Sequence, residues 1–309
     1  MVKIVAIGEP MIELNAMTVG KLRDVTYFEK HVAGAELNFC IAAKVNGVDC
    51  SLIAKVGDDE FGYNVIEYAR GKGVDTSMVK VDPKLPTAVF FIQRGYPVPM
   101  RSISFYYRKG SAGSSLSPSD IDVSKIREAD LVHTTGITLA ISDSAKEAAM
   151  EGLRNSRKSS LDTNIRLKLW SPEKARETLL KVIPEVDILV TDPDDARIIG
   201  NVSEPDEAFS FFSKMGVSTL VYKTGIEGTY VYHEGEKFVQ RGYHVQVEDP
   251  TGAGDSLSGT FISLLLKRKS VDYALSHAVA SATLVVTTRG DNEIIPDEES
   301  AEKFLKEFK

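Results

Sequence analysis

The sequence predicts an α/β fold: a mostly parallel central sheet flanked by helices, with a small β-sheet lid. Three observations predict it. Short apolar runs alternate with helical patterns along most of the 309 residues, as strand–helix–strand units require. Two stretches, residues 13–32 and 87–109, break that alternation with strand-like patterning and no helix between. A small-residue segment, Asp249-Pro250-Thr251-Gly252-Ala253-Gly254-Asp255-Ser256, opens a late helix. Open α/β sheets gather ligands at such places, beyond the carboxyl ends of their strands.

In chain order, residues 3–8 read as a buried strand. Leu37, Cys40, Ile41 and Val45 then fall on one helical face, and Gly47 closes that helix. Residues 51–56 form the next strand. Phe61, Val65, Tyr68 and Ala69 mark a helix that stops at Gly71 and Gly73. Strands follow at 130–135, 160–163, 187–191 and 220–224, separated by helical patterns at 144–156, 172–183 and 208–215. The late helices cover 256–267 and 273–286. Residues 88–92 and 102–107 pair as a hairpin across Gly95-Tyr96-Pro97-Val98-Pro99. Residues 13–33 and 87–109 are therefore assigned to one small sheet covering the ligand edge, with an ordinary edge extension as the alternative. Residues 1–12, 34–86 and 110–309 make up the large domain.

Composition excludes several classes. An apolar content of 43 % supports one large domain with an elaboration, or two domains. The net charge of −7 and the lack of a Lys/Arg cluster argue against nucleic-acid and membrane-surface roles. No apolar run approaches the ~20 residues needed to span a bilayer. The first residues have the wrong length and flanks for a signal peptide, so a soluble cytoplasmic protein is expected. Cys40 and Cys50 are the only cysteines. Such sparse usage predicts a reducing compartment, no disulfide framework and two core residues. The five histidines show no metal-ligand spacing.

Glycine and alanine let a backbone approach a ligand closely, and the free N–H groups at a helix start favour an anion. Asp255 stands at the lip of that anion site, where a base belongs if a hydroxyl attacks a phosphoryl group. A Walker P-loop and a G-x-G-x-x-G dinucleotide site are both absent. Lys223-Thr224-Gly225-Ile226-Glu227-Gly228 ends an apolar strand with two glycines. Read alone, it is a hairpin turn as readily as a phosphate contact.

Together, Asp-Pro-Thr-Gly-Ala-Gly-Asp, the upstream Lys-Thr-Gly-x-x-Gly and the N-terminal Ala33-Gly34-Ala35-Glu36-Leu37-Asn38 resemble the ribokinase-like carbohydrate kinases over essentially the whole chain. Within that group the sequence is most similar to the archaeal 2-keto-3-deoxygluconate kinases. Four segments carry this closer resemblance: residues 27–34, 91–97, Tyr106-Tyr107-Arg108-Lys109-Gly110-Ser111-Ala112-Gly113, and Leu161-Asp162-Thr163-Asn164-Ile165-Arg166.

The resemblance implies a ribokinase-like fold and Mg²⁺-dependent transfer of the ATP γ-phosphoryl group to the C6 hydroxyl of 2-keto-3-deoxygluconate. The C4 epimer is a further substrate to be considered. Asp255 becomes the base, and the amides around Gly252, Ala253 and Gly254 stabilise the transferred charge. Gly34 and Asn38 fall where the family binds substrate hydroxyls, and Tyr106 is a lid contact. Phe90 stands where relatives carry a tyrosine, so one hydroxyl contact is missing. Arg108 and Arg166 are the cations expected to clamp the substrate carboxylate between lid and base. For ATP the family pattern points to Asn164, Arg166, Lys223, Gly225, Gly228 and residues 252–254. Asp192 and Asp195 either orient water on Mg²⁺ or serve as helix N-cap and first-turn acid. The expected partners are a sugar acid and ATP, in a homo-oligomer. A kinase for a neutral sugar or nucleoside is the alternative activity, and a sugar-binding regulator on a kinase fold is the alternative from another class.

Overall fold

The computed structural model describes residues 2–99 and 101–308. Its strands are β1 (Lys3–Ile7), β2 (Met11–Val19), β3 (Phe28–Ala33), β4 (Asp49–Gly57), β5 (Val79–Asp82), β6 (Val89–Arg94), β7 (Ser102–Tyr107), β8 (Leu131–Thr135), β9 (Ser159–Asp162), β10 (Ile188–Thr191), β11 (Thr219–Lys223), β12 (Thr229–His233) and β13 (Glu236–Gln240). The main sheet has nine strands in the order β13-β12-β11-β10-β9-β8-β1-β4-β5. Pairing is parallel from β11 across to β5, and antiparallel only between β11, β12 and β13.

Continuous apolar runs suit strands covered on both faces. In β1, Ile4 and Ala6 pack into one core while Val5 and Ile7 pack into the other, as side-chain alternation dictates. Ile188 and Val190 of β10 divide from Leu189 in the same way. The first core is closed by helices Ala35–Val45, Glu60–Gly71, Ala253–Leu266 and Val271–Val285. The second is closed by helices Asp143–Asn155, Pro172–Val182, Pro193–Gly200 and Pro205–Ser213.

The second sheet runs β3-β2-β6-β7, so the two interrupting stretches do join as one sheet. The β6–β7 hairpin has Phe90 opposite Tyr106 and Phe91 opposite Phe105. Phe90 and Tyr106 face the main domain. Phe91 faces away and meets Phe28 and Tyr107 edge-on, with ring centroids at 5.3 and 5.6 Å. The small sheet is tied to the large domain at several points. Asn15 Nδ2 donates to Asp249 at 2.9 Å, Arg94 pairs with Glu248 at 2.7 Å, His31 Nδ1 lies 2.6 Å from Glu293, and Lys168 Nζ donates to the Ser104 carbonyl at 2.5 Å.

Some elements differ from the sequence reading. The segment after β11 is the turn of a β11–β12 hairpin. The sequence reading passes over β5, a four-residue strand with no fully buried side chain, and the helix Glu298–Glu307, which is capped by Asp297 and buries Ala301 and Phe304. Cys40 and Cys50 form a disulfide, with Cα atoms 5.3 Å apart. This corrects the expectation of no disulfide framework. Both cysteines are buried as anticipated, but helix Ala35–Val45 packs on β4 and brings them within bonding reach. Among the described residues no helix is long and apolar enough to cross a membrane.

Candidate active site

The lid's inner face and the carboxyl ends of β1, β9, β10 and β11 enclose a cavity of ≈ 560 Å³. Each strand end delivers a polar group to it. Glu9 follows β1, Asp162 ends β9 with Asn164 and Arg166 just beyond, Asp192 follows β10, and Lys223 ends β11. The lid contributes Phe90 and Tyr106, whose rings stack 5.1 Å apart at 23°. Tyr107 points outward and cannot supply the hydroxyl that Phe90 lacks.

Glycine is required at two points of the wall. Gly34 has φ 137° and caps helix Ala35–Val45, and a β-carbon there would lie 2.8 Å from the Pro10 backbone. Gly252 has φ 78° and caps helix Ala253–Leu266, and a β-carbon there would collide with the Asp291 carbonyl. The turn can therefore press against the 291 loop only without a side chain. The Gly252 carbonyl accepts from the Ser256 amide at 2.9 Å. The N–H groups before Ser256 have no acceptor within the helix and are available to an anion. Gly252 and Gly254 line the main cavity, whereas Ala253 faces the adjoining one.

Asp255 sits in the first turn of that helix. Burial, reinforced by the Asp162 carboxylate and opposed by a hydrogen bond from Asn38, pushes its pKa up to about 8. Asn38 Nδ2 donates to Asp255 Oδ2 at 2.9 Å and reaches Asp291 Oδ2 at 3.1 Å, while Asn38 Oδ1 accepts from Asn292 at 2.7 Å. Asn38 is fully buried and does not line the cavity. The expected substrate contact is corrected: Asn38 holds the base instead, because its helix position turns the amide inward.

Asp291 carries no sequence signal as a site residue. It is buried against Asn38 and lines the cavity. Burial raises its carboxyl and, more strongly, that of the neighbouring Glu13 on β2. Neither residue lies in a recognisable motif, and only the return of the chain after the last helix of the sheet brings Asp291 beside Asp255.

The two arginines behave differently. Arg108 is buried and already paired: Nε donates to Glu9 Oε2 at 2.7 Å, and Ser111 donates to the other Glu9 oxygen. Arg108 lines the cavity while paired with Glu9, a partner that the sequence reading does not name. Arg166 lines the same cavity, is exposed, and has no ion-pair partner among the described residues.

A second cavity of ≈ 430 Å³ adjoins the first, sharing Lys223, Pro250 and Gly254 with it. Its wall is mostly apolar, with Gly225, Ile226, Tyr243, Val247 and Leu257, and with Val279, Ala282 and Thr283 from helix Val271–Val285. Such a slot suits a flat heteroaromatic base beside an anion turn. Gly228 lines neither cavity. It closes the hairpin turn, its carbonyl accepting from Thr224 N and Oγ1 at 2.9 and 2.8 Å, so its expected nucleotide contact is corrected to a turn function. Asn164 lines the main cavity with φ 33°, a left-handed backbone that asparagine tolerates.

Asp192 N-caps helix Pro193–Gly200 through Oδ1 and faces the cavity. Asp195 is buried, accepting from Thr163 Oγ1 at 2.5 Å and Ile165 N at 3.0 Å, and burial pushes its pKa up to about 6. It braces the loop carrying Asn164 and Arg166, and the pair holds the N-cap and first-turn positions of this helix, one of the two alternatives the sequence offers. Among the described residues no group of three or more His, Cys, Asp or Glu is arranged to hold a metal.

An amide turn with a half-buried carboxylate beside it, set between an apolar slot and a lidded polar cavity, is the equipment of a carbohydrate kinase. Residues 1–298 match the pfkB family carbohydrate kinase model, and the chain belongs to that family. It is 54 % identical over 308 residues to the 2-dehydro-3-deoxygluconokinase of Thermoproteus tenax, covering 99 % of this chain and 95 % of the relative. It is 29 % identical to the 2-dehydro-3-deoxygalactonokinase of Haloferax volcanii, covering 96 % and 95 %. Among solved structures, a putative ribokinase II from E. coli in complex with ATP and Mg²⁺ aligns with TM-score 0.91 and 27 % identity, covering 99 % and 100 %.

Proposed function

We propose that this chain transfers the γ-phosphoryl group of Mg²⁺–ATP to the C6 hydroxyl of 2-keto-3-deoxygluconate, in cytoplasmic sugar-acid breakdown of the Entner–Doudoroff type. The observation that carries the reading is the sharing of one cavity by Asp255 and the uncommitted guanidinium of Arg166. An acidic sugar spans such a site with its alcohol at the carboxylate and its anion at the cation. The 54 % identical relative supports the same substrate class. Transfer of this kind is positioning and charge stabilisation. Asp255 accepts the hydroxyl proton, the amides of residues 252–254 receive the transferred group, and the apolar slot seats the base of ATP.

A substrate panel tests this. With ATP and Mg²⁺, the sugar acid 2-keto-3-deoxygluconate is expected to surpass ribose and fructose in kcat/KM by at least about 100-fold, the upper worth of a charge-assisted hydrogen bond. Equal rates on the neutral sugars would favour the alternative activity, and no turnover on any sugar would favour a regulator. Because Phe90 offers no hydroxyl, the C4 epimer is expected to be phosphorylated as well.

We further infer that the outer lid face pairs with a second copy. Phe28, Phe91, Phe105 and Tyr107 line one side of that sheet, with Tyr107 65 % exposed. An aromatic face of this kind is a common association surface. Sedimentation velocity should give at least a dimer, and a strictly monomeric protein at micromolar concentration would contradict the inference.

A further inference from the structure

We propose that Asp162 is a positioning residue for phosphoryl transfer: its carboxylate holds Lys223 against the amide turn that receives the transferred group. The proposal rests on the kinase reading above and adds a residue to it. Asp162 ends β9 and Lys223 ends β11, with β10 between them in the sheet. Asp162 is only 2 % exposed, so its charge requires partners. Oδ2 accepts from Lys223 Nζ at 2.7 Å. Ser258 Oγ lies 3.2 Å from the same oxygen and 2.8 Å from the Gly254 carbonyl, which ties the pair to the helix of Asp255.

An ammonium on a four-carbon stem is a mobile point charge. Asp192 also faces Lys223 and would draw it away from the turn, and Lys223 bound to Asp255 would block the base. Pairing with Asp162 keeps Nζ 3.2 Å from where a Gly254 β-carbon would lie. Lys223 lines both cavities, as a group acting on a phosphoryl in transit must, whereas Asp162 reaches only the sugar side. Its negative charge is unsuited to touching the phosphoryl group, so its effect passes through the lysine.

The test compares wild type, Asp162→Asn, Lys223→Met and the double variant. Each is assayed with Mg²⁺–ATP and varied 2-keto-3-deoxygluconate, and kcat is separated from the sugar-acid KM. Each single change is expected to lower kcat about 10- to 100-fold, with sugar-acid KM within about twofold, and the double variant should lose no more than the worse single one. Losses that multiply, or an unaltered kcat in Asp162→Asn, overturn the proposal. Should the asparagine variant fail to fold, Asp162→Glu keeps the charge and displaces it by one methylene. A lowered kcat at an unaltered thermal midpoint supports the proposal there, and wild-type kcat overturns it. Wild-type protein without turnover on any sugar acid would instead remove the kinase reading, a result distinct from each of these.

Discussion

Asp255→Asn is expected to lower kcat for sugar-acid phosphorylation by about 10³-fold, within the usual range for loss of a general base. Asparagine keeps the shape and can still meet Asn38, whose Nδ2 donates to the aspartate at 2.9 Å. It cannot take a proton. Sugar-acid affinity, measured by calorimetry without nucleotide, should stay close to wild type, because the carboxylate of the substrate is held elsewhere in the cavity. Retained turnover would remove Asp255 from the mechanism. The wild-type pH profile supplies an independent check. Burial and the neighbouring Asp162 push Asp255 up to about 8, so the base is protonated and inactive below that pH and active above it. The kcat/KM of wild type should therefore rise through an acidic limb near pH 8, since this parameter reports the free enzyme. Bound cations would pull the limb in kcat lower, because an adjacent positive charge favours the carboxylate. An acidic limb near pH 4 in kcat/KM would contradict the buried setting of the base.

Arg166→Ala is expected to raise KM for the sugar acid about 10- to 100-fold, the worth of a hydrogen bond to a charged group. Arg108→Ala should behave differently. Its guanidinium is committed to Glu9 at 2.5–2.7 Å, and both groups are buried. Removing it strands a carboxylate in the wall, and breaking a buried pair costs about 3–5 kcal/mol of stability. Thermal melts and steady-state kinetics on both variants separate the two cases. Arg166→Ala should melt like wild type with an altered KM, and Arg108→Ala should melt early. An unchanged KM in Arg166→Ala would leave the substrate carboxylate without its assigned cation.

Much of the architecture is legible in the sequence because it depends on local pattern. The apolar runs at residues 3–8, 187–191 and 220–224 are strands since each buries both faces, and the helices between them bury one stripe. The hairpin at residues 88–107 shows itself through alternation around the Gly95 to Pro99 turn, and its inward and outward residues follow from a period of two. The edge strand β5 is not legible, because four residues with none fully buried leave little periodic signal, whereas the helix Glu298–Glu307 is amphipathic around Ala301 and Phe304 and is a legible element that the sequence reading passes over.

The site divides along the same line. Gly252, Gly254 and Asp255 are readable because a left-handed cap followed by helix is a local requirement, and Gly34 for the same reason. Sequence alone also shows no clustered run of Lys and Arg and no apolar run of bilayer length. Only the tertiary structure decided that Arg108 pairs with Glu9, that Asn38 holds the base, that Asp291 joins it, that Asp162 pairs with Lys223 and that the two cysteines meet. The reason is physical. Backbone conformation follows from neighbours in the chain, whereas ion pairing and protonation depend on distance and dielectric between groups up to some 250 residues apart, as between Asn38 and Asp291, which the fold alone brings together.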